Sequence, residues 1–498
     1  MSNAMKSIMF VGTGSDVGKS VIATAFCRIF RQDGYHPAPF KAQNMALNSF
    51  VTADGLEIGR AQAVQAEAAQ VPCHTDMNPV LLKPQSDHTS QIVLHGKPVG
   101  NAHAYDYFRH EGKEQLRREV CQAYDRLAAR YSPIVMEGAG SISEINLRDT
   151  DIVNMSMAIH AGASVILVAD IDRGGVFASV YGSVMLLQPH ERARLKGILI
   201  NKFRGDIRLF EPGVKMLEEL CQLPVVGVVP YYTGIHIEEE DSVALAYKSM
   251  RASSGKVNVA VVLLRHISNF TDFDRLEQDE RVHLFYTNNV DELGKAEVII
   301  LPGSKSTIDD LIELRRNGVA SAILKAHRDN NATVIGICGG YQMMGREVVD
   351  PNHVEGDVER MPGLGLLPTT TVITREKTTR QVHFTFGQSP MCSGYEIHMG
   401  ETTPAEGAEI LPLNRLHDGR TDGYKVSDTC MGTYIHGLLD NDAFIDYLLS
   451  RFSERIGEKN SSSEQDYRSF KEEQYNLLAD HVRSHVNMEL IYRIMNEE

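Results

Sequence analysis

The sequence predicts an α/β protein with two domains, each built around a largely parallel sheet. The chain has 498 residues, which exceeds the size at which a single hydrophobic core stops growing. In both halves, short apolar runs alternate with longer segments of helical periodicity, and this alternation is typical of parallel sheets covered by helices. A glycine-rich loop joins the first apolar run to the first helical segment.

The composition indicates an ordinary globular protein, with 43% hydrophobic and 23% charged residues. No apolar run approaches the roughly 20 residues that span a bilayer, and the start of the chain lacks a signal pattern, so we expect a cytoplasmic protein without a membrane partner. Residues Met1–Ala4 are interpreted as an expression scar ahead of Met5.

The cysteine count and the net charge indicate which kinds of chemistry and partner the chain is suited to. Seven cysteines are an odd, sparse set, which favours reduced thiols over a disulfide framework. The formal net charge of −15 and the lack of clustered Lys and Arg predict no nucleic-acid partner. Small-molecule chemistry is therefore expected, and the sequence leaves the oligomeric state open.

The first half begins with a strand, a glycine-rich loop and a helix. After Val21, apolar residues keep helical spacing as far as Phe30, and Gly34 supplies a stop signal. Short apolar runs predict the strands of this half. These strands are Ser7–Val11, Pro133–Met136, Ser164–Ala169, Gly197–Ile200 and Val225–Val229.

A polar stretch rich in small residues, Asp241–Lys256, marks the predicted domain boundary, because a new strand, Val257–Leu264, begins directly after it. We expect a first domain over residues 5–245 and a second over residues 257–498. The other elements predicted in the second half are strands near Val298–Leu301, Thr333–Ile337 and Met431–Ile435 and a helical segment over Tyr467–Met495.

The loop after the first strand reads VGTGSDVGKSV, Val11–Val21. Glycines let backbone N–H groups turn toward phosphate oxygens, Lys19 would reach the terminal phosphates, and Ser20 would hold Mg²⁺. Gly12 lies one place too early for the strict motif, and a turn that only caps the helix is the alternative. The predicted ATP-binding residues of this loop are Gly14, Asp16, Gly18, Lys19 and Ser20.

Carboxylates near the loop are candidates for metal or substrate binding. Glu137 ends a predicted strand in MEGAGS, where it would bind Mg²⁺ together with Ser20. Asp149 and Asp151, in NLRDTDIVN, would bind the same metal or the substrate, with a turn or cap role as the alternative.

The variant loop resembles the dethiobiotin synthetase type of P-loop, in which a carboxylate or carbamate is phosphorylated. Asn201, after the strand GILIN, resembles the adenine-reading Asn of that class. Partitioning ATPases carry a second lysine five places before the P-loop lysine, where this chain has Gly14. A dimeric ATP switch of that kind is therefore disfavoured.

The second half contains a candidate nucleophile, Cys338, in the sequence VIGICGGYQ between an apolar strand and a predicted helix. Such a turn exposes the sulfur, although a free Cys in this position is also compatible with an inert core residue. His436, in TYIHG, is a candidate general base, and the loop LPGS, Leu301–Ser304, offers backbone N–H groups for an oxyanion.

These elements resemble a class I glutamine amidotransferase, in which a Cys attacks the side-chain amide of glutamine and ammonia is released. That class usually adds a Glu two residues after the His, whereas this chain has Leu438. The sequence therefore predicts a Cys338–His436 dyad and leaves open what orients His436. Ammonia could then displace phosphate from a carboxylate activated in the first domain, giving an amide.

Over nearly its whole length the chain resembles the cobyric acid synthase family of cobalamin biosynthesis. The resemblance implies ATP and glutamine as reactants and amidation of the b, d, e and g carboxylates of a corrin, adenosylcobyrinic a,c-diamide. The motifs that carry it are SDVGKS, PFKAQNMALNS, GRAQAVQAEAA, MNPVLLKP, EGAGS, INLRDTDIVNM, ADIDRGGVFAS, INKFRGD, HISNFTDFD, LPGSKST, GICGGYQM and GYEIHMGE.

Polar residues early in the chain are candidates for contact with this substrate, with an ordinary polar loop as the alternative. Cobyrinic acid a,c-diamide synthase is the nearest competing resemblance, but it has acidic residues where this chain has amide and apolar ones. CTP synthase also joins these domain types, but its amidotransferase half carries the full triad. A non-catalytic ATP-dependent scaffold is a hypothesis of a different class. The candidate substrate contacts are Lys41, Gln43, Asn44, Asn48 and Asp149.

Overall fold

The computed structural model describes residues 5–85, 89–103, 113–240, 245, 248–456 and 467–497. The predicted scar, Met1–Ala4, lies outside the described residues, as do residues 241–244, 246 and 247 of the predicted boundary. The chain forms two compact units. Unit 1 is made of Met1–Ala46, Ile58–Glu238 and Arg468–Glu498, and unit 2 of Leu47–Glu57 and Glu239–Tyr467.

Strands occur throughout both units. In chain order they are β1 (Ile8–Gly12), β2 (Ala38–Phe40), β3 (Gln43–Met45), β4 (Ser49–Val51), β5 (Glu57–Gly59), β6 (Val80–Pro84), β7 (Thr89–Leu94), β8 (Lys97–His103), β9 (Ile134–Glu137), β10 (Ser164–Asp170), β11 (Leu195–Phe203), β12 (Val225–Pro230), β13 (Val257–Val262), β14 (Ile267–Ser268), β15 (Val282–Thr287), β16 (Val298–Leu301), β17 (Gly303–Ser304), β18 (Thr333–Ile337), β19 (Glu347–Val349), β20 (Arg360–Pro362), β21 (Thr369–Thr385), β22 (Cys392–Pro404), β23 (Leu411–Leu416), β24 (Thr421–Ser427), β25 (Cys430–Thr433) and β26 (Ile435–His436).

Helices follow most of the parallel strands. The α-helices are α1 (Lys19–Gln32), α2 (Arg60–Ala69), α3 (Lys113–Ala128), α4 (Met155–His160), α5 (Val176–Leu186), α6 (Pro189–Arg192), α7 (Glu211–Cys221), α8 (Asp274–Glu277), α9 (Val290–Leu293), α10 (Thr307–Arg316), α11 (Val319–Asn330), α12 (Gly339–Met344), α13 (Asp442–Leu449), α14 (Ser453–Ile456), α15 (Tyr467–Arg483) and α16 (Met488–Asn496). Two short 3₁₀ helices bear on the sites, Ile145–Thr150 and Phe270–Phe273.

Unit 1 is built on a six-stranded sheet in the order β12-β11-β10-β1-β9-β2. The central strand β1 pairs in parallel with both β10 and β9. All five residues of β1 are buried, as expected for a parallel strand covered on both faces. The parallel sheet predicted for the first domain is confirmed, and the P-loop leaves its carboxyl edge.

Unit 2 is built on a larger mixed sheet. Strands β15, β13, β16, β18 and β25 are parallel neighbours. The sheet continues through the antiparallel strands β24, β23 and β21. Strand β18 ends at Ile337, directly before Cys338, and α12 begins directly after it. The predicted second α/β fold is therefore confirmed.

The two units are not separated by a single cut in the chain, and the domains over residues 5–245 and 257–498 stay a prediction. Residues from Arg468 onward pack into unit 1, where Arg28 pairs with Glu472 at 2.7 Å and Ser164 donates a hydrogen bond to the Ile494 carbonyl at 3.0 Å. The Leu47–Glu57 segment packs into unit 2. Helical periodicity predicts an apolar face but does not say which core will cover it.

In the part of the chain that the structure describes, no helix combines the length and apolar character that a membrane crossing requires.

Candidate functional site

The P-loop of unit 1 needs glycine at two positions because other atoms lie too close for a side chain. A Cβ at Gly12 would lie 2.8 Å from both the Gly14 carbonyl oxygen and Lys19 Nζ. A Cβ at Gly18 would lie 2.1 Å from Asn201 Nδ2, and Gly18 also has a φ of 97°. The loop therefore wraps closely around the lysine at the start of α1, which is the arrangement of a phosphate-binding loop.

Lys19 lies buried inside this loop, with 7% of its surface exposed. Its Nζ donates hydrogen bonds to the Gly14 carbonyl at 2.8 Å and the Gly140 carbonyl at 2.9 Å. Burial lowers the pKa of Lys19 to about 8, although the charge of Glu137 opposes that shift. An anionic phosphate beside Lys19 would supply a negative charge, which would favour the protonated ammonium.

Glu137 lies at the end of β9 and is surrounded by donors. Ser20 Oγ and Lys41 Nζ each donate to its Oε1 at 2.8 Å, and Gln65 Nε2 donates to its Oε2 at 2.7 Å. Burial alone would raise the pKa of Glu137, but the charge of Lys41 and the three hydrogen bonds hold it below the usual value. The carboxylate is therefore ionised at neutral pH.

The hydroxyl of Ser20 and the carboxylate of Glu137 fit a magnesium site. Both are oxygen donors beside the P-loop, and Mg²⁺ is usually held by one or two such groups together with water and substrate phosphates. Within the described residues, no cluster of three or more His, Cys, Asp or Glu could hold a metal by itself.

Asn201 and Asp16 also lie at the loop. Asn201 Nδ2 donates to the Val17 carbonyl at 2.9 Å, so the amide of Asn201 holds the loop backbone. Asp16 has a φ of 58°, and its carbonyl accepts a hydrogen bond from Lys202. A contact of Asn201 with adenine stays a prediction.

The predicted substrate residues belong to both units. Lys41 and Asn44 are buried in unit 1, where Asn44 Nδ2 donates to Gln62 Oε1 at 3.1 Å. Gln43 is half-buried in β3. Asn48 belongs to unit 2 and is 1% exposed.

Of the two aspartates in the NLRDTDIVN sequence, Asp149 is exposed on the 3₁₀ helix Ile145–Thr150. Asp151 accepts hydrogen bonds from the Val153 N–H at 2.9 Å and the Asn154 N–H at 3.0 Å. Asp151 therefore has a turn role, whereas Asp149 remains a candidate for substrate contact.

Cys338 occupies a sharp turn between β18 and α12, with φ 51° and ψ −109°. Two glycines allow this turn: a Cβ at Gly336 would lie 2.6 Å from Tyr341 Cα, and one at Gly340 would lie 2.0 Å from the Leu301 carbonyl oxygen. The Sγ atom lies 3.5 Å from the Ile397 carbonyl oxygen. The spacing G-x-C-x-G is thus a steric requirement of an elbow that presents the sulfur.

His436 lies close enough to Cys338 for the two groups to interact electrostatically, and it is 1% exposed. Its role as general base stays a prediction. Its Nδ1 lies 2.6 Å from Asp272 Oδ2, and the Gly437 N–H donates to Asp272 Oδ1 at 3.0 Å. Burial alone would lower the pKa of His436, but the charge of Asp272, the hydrogen bond to it and the neighbouring Cys338 raise the pKa to about 10.

Asp272 occupies the place of the group that the sequence left open. It lies on the 3₁₀ helix Phe270–Phe273, 164 residues before His436, and is 3% exposed. Leu438, at the position where the amidotransferase class usually has Glu, is fully buried in the apolar core. Sequence reasoning missed Asp272, although its position between aromatic residues in HISNFTDFD was a signal of a buried carboxylate.

The LPGS loop also lies at this site. A Cβ at Gly339 would lie 2.8 Å from the Ser304 backbone nitrogen, and one at Gly303 would lie 3.3 Å from His436 Cε1. The Ser304 hydroxyl donates to Asp310 at 2.6 Å. The Ser304 backbone nitrogen therefore lies beside the turn that carries Cys338. The oxyanion role of the loop stays a prediction.

Comparison with protein families assigns a model to each half of the chain. Residues 8–243 match the CobQ/CobB/MinD/ParA nucleotide binding domain. Residues 258–444 match the CobB/CobQ-like glutamine amidotransferase domain. The two matches cover the P-loop and the Cys338 site respectively.

Curated relatives match over the full length. The chain is 70% identical to the cobyric acid synthase of Bacteroides fragilis over 498 residues, covering 100% of both proteins. It is 68% identical to the cobyric acid synthase of Phocaeicola vulgatus, covering 100% of this chain and 99% of the relative. With the cobyric acid synthase of Citrobacter koseri the identity is 47%, covering 99% of each.

Proposed function

Because the chain belongs to the cobyric acid synthase family of ATP-dependent, glutamine-hydrolysing amide synthases, we propose that it amidates the b, d, e and g carboxylates of adenosylcobyrinic a,c-diamide. The product of the four amidations is cobyric acid. The observation that carries this proposal is the buried Cys338, His436 and Asp272 arrangement in a chain that also holds a P-loop lysine.

The thiol site supplies ammonia. The Cys338 thiolate attacks the side-chain carbonyl carbon of glutamine, forming a C–S bond while the C–N bond breaks. The His436 imidazolium gives its Nε2 proton to the leaving nitrogen, and Asp272 keeps the other ring proton on Nδ1. Neutral His436 then accepts a proton from water, which hydrolyses the thioester to glutamate and restores the thiol.

The P-loop site activates the carboxylate that receives the ammonia. Lys19, which is bonded to the Gly14 carbonyl of the P-loop, would stabilise the charge of the phosphoryl group whose transfer converts the carboxylate to an acyl phosphate. Mg²⁺, held by Ser20 and Glu137, supplies further neutralisation of phosphate charge when it is bound. Ammonia then displaces phosphate and leaves an amide.

Lys41, Gln43, Asn44, Asn48 and Asp149 remain the proposed corrin contacts. Lys41 has a direct link to the activating site, because its ammonium is bonded to Glu137. A carboxylate substrate could use the same cation.

Cys338→Ser tests the division of labour between the sites. The variant should lose glutamine-supported synthesis but keep synthesis from added ammonium salt, because the ATP site is intact. Ammonia-supported synthesis should rise with pH as free NH₃ increases. A Cys338→Ser protein that kept its glutamine-supported rate, or that lost the ammonia-supported one while folded, would contradict the proposal.

Substrate choice is tested separately by measuring which corrin supports ATP hydrolysis. We expect the a,c-diamide to do so. Hydrolysis supported by cobyrinic acid instead would favour the alternative, cobyrinic acid a,c-diamide synthase, and hydrolysis supported by UTP would favour CTP synthase activity.

A further inference from the structure

The Leu47–Glu57 segment, here named the docking segment, is buried in unit 2 although its neighbours in sequence belong to unit 1. Its Val51 is fully buried against Tyr395 and Ile397. Its Asn48 and Ser49 are each only 1% exposed. A surface loop would not bury amide and hydroxyl groups so completely. The contacts made by this segment therefore indicate a function beyond that of a connecting loop.

Ser49 determines which way the amide of Asn269 points. The Ser49 N–H donates to Asn269 Oδ1 at 2.9 Å, which turns the amide oxygen toward the docking segment. The Nδ2 atom is then directed to the other side, where it lies 3.4 Å from His436 Nε2. Asn269 has a φ of 53°, a conformation that Asn tolerates better than most residues.

Asn48 holds the turn that carries the orienting carboxylate. Its Oδ1 accepts a hydrogen bond from the Phe270 N–H at 3.2 Å, at the first residue of the 3₁₀ helix that bears Asp272. Its Nδ2 donates to the Glu240 carbonyl at 2.8 Å, so both polar atoms of the side chain are used.

Tyr395 gives the docking segment a further contact beside His436. The Tyr395 hydroxyl donates to the Ser49 carbonyl at 3.3 Å. The Tyr395 ring stacks on the His436 imidazole with centroids 5.3 Å apart and planes inclined by 19°. The docking segment is thus bonded to Asn269, which lies at Nε2 of His436, and to Tyr395, which stacks on the face of the ring.

We propose that Asn269 is a positioning residue of the thiol site, and that the docking segment holds it in place through Ser49 and Asn48. This inference rests on the proposed amidotransferase function. Nδ1 of His436 keeps its proton on Asp272, so Nε2 of the neutral ring carries a lone pair that accepts from Asn269. Bonds at both ring nitrogens restrict rotation of the imidazole in the state that activates water.

The titratable groups that act on His436 electrostatically are Asp272 and Cys338, and His436 in turn acts on His398. Among these, Asp272 holds Nδ1 and Cys338 is the nucleophile. Asn269 is uncharged, so its contribution is the direction of a donor rather than a charge.

Asn269→Asp is the decisive variant, because it keeps the shape, the tolerance for positive φ and the acceptor for Ser49, but removes the donor toward His436. We expect kcat for glutamine-supported synthesis to fall about 3- to 10-fold, the rate equivalent of one hydrogen bond. KM for glutamine and the ammonia-supported rate should stay close to wild type. The added carboxylate should also favour the imidazolium of His436, so the alkaline limb of the pH profile of glutamine-supported kcat should move to higher pH.

Asn48→Ala tests the anchor while leaving Asn269 itself in place. It should lower kcat for glutamine hydrolysis in the same direction, measured as ammonia release in the absence of corrin so that the proposed corrin contact of Asn48 does not enter the result. Thr379→Val is the matched control, since it removes a 2.6 Å hydrogen bond to the Gly55 carbonyl near the tip of the docking segment. That variant should keep both rates.

A wild-type glutamine-supported kcat with a wild-type pH profile in Asn269→Asp would overturn the inference, as would an equal loss of glutamine- and ammonia-supported synthesis. If Asn269→Asp did not fold, wild-type rates in Asn48→Ala would still overturn the role of the docking segment. Cys338→Ser is assayed in parallel. Retained glutamine-supported synthesis in Cys338→Ser would reject the proposed thiol chemistry, whereas its loss there with full activity in Asn269→Asp would reject only the present inference.

Discussion

The thiol site and the P-loop site each contain a buried carboxylate, Asp272 in unit 2 and Glu137 in unit 1. They differ in whether the protein itself supplies the negative charge that stabilises the functional cation. In unit 2, His436 is hydrogen-bonded to Asp272 and interacts electrostatically with Cys338, and its pKa is raised to about 10 although burial opposes this. In unit 1, Lys19 contacts neutral carbonyl oxygens, and burial lowers its pKa to about 8. The thiol site is therefore electrostatically complete within the protein, whereas the P-loop site becomes complete when an anion binds.

This difference separates two ways of preparing a reaction. The thiol site holds its proton donor charged before glutamine arrives, so its orienting carboxylate should matter for every turnover. The P-loop site keeps a desolvated ammonium for a phosphate that the substrate supplies, so its variants should fail whatever the source of nitrogen. Variants in the two units should consequently give different patterns with glutamine and with ammonia.

The largest effect is expected from Lys19→Ala. Without the ammonium, phosphoryl transfer to the carboxylate loses its main protein cation, and synthesis should fall about 10³-fold or more with either glutamine or ammonia. Initial rates of amide formation with each nitrogen source measure this. Lys196→Ala, near the amino end of β11, is the control and should retain both rates. Normal amide yield from Lys19→Ala would remove the P-loop from the mechanism.

Asp272→Asn should lower the glutamine-supported rate about 10²-fold while leaving the ammonia-supported rate unchanged. His436 would lose the carboxylate that orients its ring and keeps it protonated. Glutaminase and synthase assays on the same preparation give both values. The exposed carboxylate of Asp329 offers a control in the same unit. Unchanged glutamine-supported synthesis in Asp272→Asn would reduce this triad to the predicted dyad.

Glu137→Gln should raise the Mg²⁺ concentration for half-maximal synthesis about 10-fold or more, on the scale of losing a hydrogen-bonded ligand. The effect should be equal with glutamine and ammonia, since it belongs to the P-loop site. A magnesium titration of the synthase rate measures it, with Glu114→Gln on α3 as the control. An unaltered Mg²⁺ dependence would make Glu137 a structural partner of Lys41.

The smallest effect concerns the pH dependence of stability. The folded-state pKa of His436 is raised to about 10, so its pairing with Asp272 contributes stability that is fully present below the ordinary value of about 6.5 and is lost as the pH rises through about 10. Urea midpoints measured between about pH 7 and pH 10.5 should fall more steeply in the wild type than in Asp272→Asn. Parallel curves for the two proteins would contradict this contribution.

The sequence by itself determined the elements whose geometry is local. The P-loop and the Cys338 elbow depend on glycines within a few residues of the functional side chain, and the structure gives the steric reason at Gly18 and Gly340. The strands around them were predictable because parallel strands buried on both faces must be apolar. The full-length motifs also sufficed to recognise the family, and the matches to its members confirm that prediction.

Only the tertiary structure decided what completes the thiol site. A hydrogen bond joins Asp272 to His436 across 164 residues of chain, and no local spacing encodes such a distant pair. The same holds for the docking segment and for α15 and α16, whose sequences predict buried faces without specifying which unit buries them. Burial and pairing of polar groups depend on the whole packed chain, because each buried donor or acceptor must find a partner wherever the fold brings one.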